Sequence, residues 1–172
     1  MRRFIVFSTI ALVLLVVSCN NGGDKIDLDK IDVNVKIKRF DKDIFSINPS
    51  NIKESIPQLS KEYGNFFQLF GEGIIGIGKQ NDPQFTVYLE KFLTSEMVLE
   101  TYKRVQAKFP SLDNLNVEFT NAFKRYHYYF PNRCIPSIYA FVSGYNQSTV
   151  LADSILGIGL DRYLGVDYKD YI

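Results

Sequence analysis

The residue pattern predicts an α+β fold with an opening strand, three to four helices and a C-terminal antiparallel β-section. Three observations carry that prediction. Residues 31–41, "IDVNVKIKRFD", alternate apolar and polar with period two, as a half-buried strand does. Between residues 52 and 126 apolar side chains recur at helical spacing. Beyond Pro131 the composition becomes β-branched and aromatic, with turn signals at Gly144 and Asp153-Ser154.

The helical section divides at its breakers. Pro49-Ser50 marks a turn and cap, after which Ile52, Ile56, Leu59, Tyr63, Phe66, Phe67 and Phe70 form one stripe, ended by Gly71 and Gly73. Asn81-Asp82-Pro83 opens a second helix over "QFTVYLEKFL", and Thr94-Ser95-Glu96 starts a third over "MVLETYKRVQAKF". Pro110-Ser111 ends that one, and Leu112, Leu115, Phe119, Ala122, Phe123 and Tyr126 carry the fourth. "IPSIYAFVSGYN" then reads as a strand, and "STVLADSILGIGL" as two short strands turning at Asp153-Ser154.

The first 18 residues stand apart. Arg2 and Arg3 precede an apolar run from Phe4 to Val17, too short to span a bilayer, which takes about 20 residues, and built like a secretory signal. It ends in Val16-Val17-Ser18-Cys19, which resembles a bacterial lipobox. The expected organisation is a signal peptide over 1–18, a lipidated Cys19 with a flexible tether over 19–24, and a single α+β domain over 25–172. The lipobox resemblance implies three acyl chains at Cys19, a firm anchor where one chain gives only marginal binding. Asn20 after the cysteine favours outer-membrane sorting, and the absence of a dense acidic run favours the periplasmic face.

Charge and composition narrow the chemistry. Without Arg2 and Arg3, the 20 Lys and Arg fall to 18 against 19 Asp and Glu, which gives nucleic acid no basic excess to bind. Cys134 has no internal disulfide partner once Cys19 is acylated, and reads as a small buried hydrophobe. "GIIGIGKQ" at 73–80 falls short of a phosphate-binding loop, because Gln80 stands where a Ser or Thr must hold magnesium and a helix precedes it. Nucleotide binding is therefore not expected. With one histidine, His127, and no HExxH, no metal site or cofactor is expected either. Asp153, Asp161, Asp167 and Asp170 are explained by turns and capping, and Ser143-Gly144 lacks the nucleophile elbow of a serine hydrolase. No catalytic residue is assigned. The 14 Phe and 11 Tyr, without a Trp, point to an aromatic core; exposed clusters of them would instead mark a binding surface.

"RFDKDIF" at 39–45, "YGNFFQLFGEGIIGIG" at 63–78 and the stretch from Phe130 to Tyr171, with "GLDRYLGVDY" at 159–168, resemble the gliding-motility lipoprotein family, GldB-like. The resemblance covers nearly all of the chain after the leader. It implies an outer-membrane lipoprotein with envelope protein partners, linked to gliding and its associated secretion machinery, with no established enzymatic activity. The family is also distantly similar to predicted zinc peptidases. In those relatives metal ligands follow the region matching this C-terminus, so the alternative expectation is the front half of a zincin-like fold. Members of the family are longer, so the resemblance implies that the domain over 25–172 is incomplete and truncated at Ile172; on the peptidase reading the metal ligands lie beyond it.

Overall fold

The computed structural model describes residues 26–165. The expected signal peptide over 1–18 and tether over 19–24, with Cys19, and Asp167 and Asp170, lie outside them. The chain divides into two compact units, residues 1–31 and 32–172. In the first, the described part is a 3₁₀ turn, Leu28–Lys30, capped by Asp27, whose carboxylate accepts the Asp29 N–H at 3.3 Å and pairs with Lys30 at 3.0 Å.

The second unit is α+β, with six helices followed by a three-stranded sheet. It opens on an extended segment in which Val33, Val35 and Ile37 are buried and Asp32, Asn34 and Lys36 are exposed. The expected period-two burial is present, but the expected ladder is not. The Val35 N–H donates to Thr120 Oγ1 at 3.0 Å and the Ile37 N–H to Asn116 Oδ1 at 2.9 Å. Among the described residues only Lys38 of this segment pairs with a strand, exchanging bonds with the Ile138 carbonyl at 2.8 Å and the Ala140 N–H at 2.9 Å. Periodicity reports which side chains are buried, and here helical side chains supply the acceptors that a neighbouring strand ordinarily would.

The helices are α1 (Phe40–Phe45), α2 (Ile52–Tyr63), α3 (Asn65–Leu69), α4 (Phe85–Thr94), α5 (Glu96–Lys108) and α6 (Asp113–Tyr129). The single helix expected from 52 to 70 breaks at Gly64, whose φ of +49° suits a residue without Cβ. It ends in a π-helical turn, Phe70–Ile74. Phe40 sits at the centre of the core, edge-on to Tyr63 at 4.8 Å, Phe66 at 5.1 Å and Phe70 at 4.8 Å. Each such ring pair adds about 0.5–1.5 kcal/mol beyond area burial. Phe85, Leu89 and Leu93 bury one face of α4 at i, i+4, i+8 spacing. By contrast α6, at 17 residues, has no fully buried side chain.

The strands are β1 (Ser137–Phe141), β2 (Thr149–Ala152) and β3 (Ile155–Gly159), in the order β1-β3-β2. Tyr139 and Phe141 face the helices, with Phe66 stacked on Tyr139 at 4.2 Å. The expected antiparallel section is instead mixed: β2 and β3 form the antiparallel hairpin, while β1 pairs with β3 in parallel. The loop after β1 carries the chain past β3's position, so the hairpin returns β3, and not β2, to the side of β1. Alternation alone says nothing of strand direction.

Candidate functional site

Two buried carboxylates organise the unit, and both act as staples. Burial of Phe40 draws the first turn of α1 inward and takes Asp41 with it, leaving its side chain with no exposure. Arg39 grips Asp41 with two nitrogens, Nε to Oδ1 at 2.8 Å and Nη2 to Oδ2 at 2.6 Å. The same guanidinium donates to the Phe109 carbonyl at 3.0 Å and to Gln106 Oε1 at 3.0 Å, and Gln106 Nε2 donates to Asp41 Oδ2 at 2.8 Å. The network is closed and ties α1 to the end of α5. Nearby, the Tyr63 hydroxyl donates to Asp43. Burial first, then that bond and the Asp43 charge, holds Tyr63 above the ordinary phenol range, so it stays a neutral donor.

Asp161, entirely buried in the 3₁₀ turn Leu160–Tyr163, is the second staple. Its Oδ2 accepts the N–H groups of Ser143 at 3.0 Å and Tyr145 at 2.6 Å, and the Ser143 hydroxyl at 3.3 Å. Ser143 Oγ in turn accepts from the N–H groups of Asn146 at 3.1 Å and Gln147 at 3.2 Å. The loop closes tightly over β3: a Cβ on Gly159 would lie 2.1 Å from the Gln147 carbonyl oxygen. Burial pushes the Asp161 carboxyl above the usual carboxylate range, against the opposing pull of the Tyr145 and Ser143 N–H bonds. The Ser143 hydroxyl is thus committed on all sides, and His127, half-buried on α6, takes no part in these contacts. Asp153 lies in the hairpin turn with φ +41°.

The glycine-rich stretch also proves structural. The Ile77 N–H donates to the Gly71 carbonyl at 2.8 Å, and Asp82 Oδ2 accepts the Lys79 N–H at 2.6 Å. Gln80 accepts from the Ser60 hydroxyl at 2.6 Å. A carboxylate therefore occupies the amide that a phosphate would need.

Cys134 departs from expectation: it is exposed, not buried. It lies in the connection between α6 and β1, where the sequence gives no burial pattern to place it. The aromatic residues divide in two. Tyr139 and Phe141 join the core, while Tyr128, Tyr129 and Phe130 are 55%, 63% and 53% exposed at the end of α6. Beside them a groove of about 530 Å³ runs between Phe123 and Tyr126 of α6 and Leu151 and Leu156 of the sheet, with Pro136 and Cys134 at its wall. Among the described residues no three His, Cys, Asp or Glu converge, and no helix is long and apolar enough to cross a membrane.

Core and surface together define a small α+β unit, held by two buried acidic staples, that presents an open aromatic helix. Residues 21–172 match the family described as gliding motility protein GldB, and the chain belongs to that family. No curated protein and no solved structure matches the chain. The Arg39–Asp41 pair lies within the "RFD" stretch that carried the resemblance, but Gln106, its third member, left no mark in the sequence.

Proposed function

We propose that the chain is a lipid-anchored component of the cell envelope, tethered through Cys19 at the periplasmic face of the outer membrane. It acts through protein contacts, without catalysis, in gliding motility or the secretion and envelope machinery tied to it. The family match over residues 21–172 carries this reading. The lipobox ending in Cys19 supports the anchor. Commitment of both buried carboxylates and of Ser143 to structural hydrogen bonds supports a binding role over a catalytic one.

Deletion of the gene in its host is the test. Spreading on agar, or the set of secreted proteins, should be impaired in the deletion strain and restored by the wild-type chain. A strain with unchanged motility, secretion and envelope integrity would sink the reading.

A further inference from the structure

Residues 119–152 contain no Asp or Glu, yet include Lys124, Arg125 and Arg133. All three cations belong to the end of α6 or the turn after it, where Tyr128, Tyr129 and Phe130 are exposed. Lys124 and Tyr128 stand at i and i+4, as do Arg125 and Tyr129, so each cation shares a helical row with a ring. The Tyr128 and Tyr129 rings meet edge to face at 5.2 Å beside the two cations, while Tyr126, which lines the groove, forms a second pair with Phe130 at 5.2 Å. Arg125 Nη1 donates to the Asn121 carbonyl at 3.1 Å, and none of the three cations enters an ion pair among the described residues.

We propose that this patch, residues 124–134, rests on an anionic phospholipid surface. Rings with a polar tip suit the headgroup zone, where the apolar body is buried and the hydroxyl stays wet. Cations that enter no ion pair among the described residues supply the complementary charge, with Asp153 across the groove the acidic residue nearest in the lining. Each cation is worth about a fivefold gain in partition onto an anionic bilayer. The inference rests on the lipid-anchored reading for its setting. A tether over residues 19–24 extends at most about 20 Å, which keeps the domain within reach of the bilayer.

The chain has no tryptophan, so a single one reports its own surroundings. The full chain carrying Tyr129→Trp is placed with vesicles of phosphatidylglycerol and phosphatidylethanolamine whose acyl chains are brominated, and compared with Leu99→Trp, at an exposed position of α5. The Tyr129→Trp emission should shift to the blue and be quenched several-fold more than that of Leu99→Trp. Neutral phosphatidylcholine vesicles should abolish the difference, and so should combining Lys124→Glu, Arg125→Glu and Arg133→Glu. Circular dichroism checks that each variant is folded, and Tyr128→Trp is the second reporter if one position perturbs the helix. Equal quenching at both positions, or quenching indifferent to lipid charge, would overturn the inference. A blue shift that grows with protein concentration in the absence of vesicles would overturn it too, by assigning the patch to a second copy of the chain. The mass of the N-terminal peptide reports acylation of Cys19 independently, so failure of the patch and failure of the anchor are told apart.

Discussion

Arg39 and Asp41, two residues apart, face each other across the start of α1 in a two-point ion pair that Gln106 closes from α5. The Asp41 side chain has no exposure and that of Arg39 has 16%. Removing one partner leaves the other's charge in a place water does not reach. Arg39→Ala should destabilise by about 3–5 kcal/mol in denaturant melts. Arg39→Lys should recover only part of this, because an ammonium cannot reproduce the fork. An Arg39→Ala variant as stable as wild type would remove the staple from the account.

Asp161 predicts a pH signature. Its carboxyl titrates higher in the folded chain than in the unfolded one. The folded state therefore holds the proton more tightly, and this group's contribution to stability falls as pH rises from the unfolded value through the folded one. Asp161→Asn removes that contribution while keeping an oxygen to accept the Ser143 and Tyr145 N–H groups. The stability of wild type relative to Asp161→Asn should decline on going from pH 4 towards neutrality. A difference that stays flat with pH, or rises, would contradict the burial argument.

Thr120 and Asn116 anchor the extended segment by accepting the N–H groups of Val35 and Ile37. Thr120→Val keeps the shape and removes the acceptor, leaving a buried N–H unsatisfied at about 1–3 kcal/mol. Amide exchange at Val35 should speed up in that variant, and Asn116→Leu should do the same at Ile37. Unchanged exchange at both positions would mean that other groups hold the segment.

The exposed Cys134 should react with Ellman's reagent in the native chain about as fast as in denaturant. Strong protection in the folded state would contradict its placement.

Phe66 touches Phe40 on one side and stacks on Tyr139 on the other, joining helices to sheet. Phe66→Ala should destabilise by about 3–5 kcal/mol. A thermal melt that shows little change would mean that the two layers are held elsewhere.

Much of the fold was legible because burial leaves a periodic trace. Ile52, Leu59 and Tyr63 on α2, and Phe66 and Phe67 on α3, are buried where the apolar spacing put them, and the turn at Asp153-Ser154 lies where turn chemistry put it. What escaped depends on partners far away in sequence. The segment around Val35 has a strand's alternation but draws its bonds from Thr120, 85 residues on. The six residues of α1 are too few to show a period, and the parallel pairing of Ile138 with Leu156 leaves no mark in alternation. Asp153 sits in a turn as its chemistry suggested, whereas Asp161 caps no helix and instead accepts N–H groups from Ser143 and Tyr145, partners that nothing local in the sequence points to. Gln106 could not be singled out, since nothing local distinguishes a glutamine that meets a buried carboxylate from one that meets water.

The central claim is the anchor at Cys19, and metabolic labelling with a clickable fatty acid tests it most directly. The wild-type chain should take up the label and fractionate with the outer membrane, and Cys19→Ser should do neither. A wild-type chain that carries no label and stays in the soluble fraction would contradict the account.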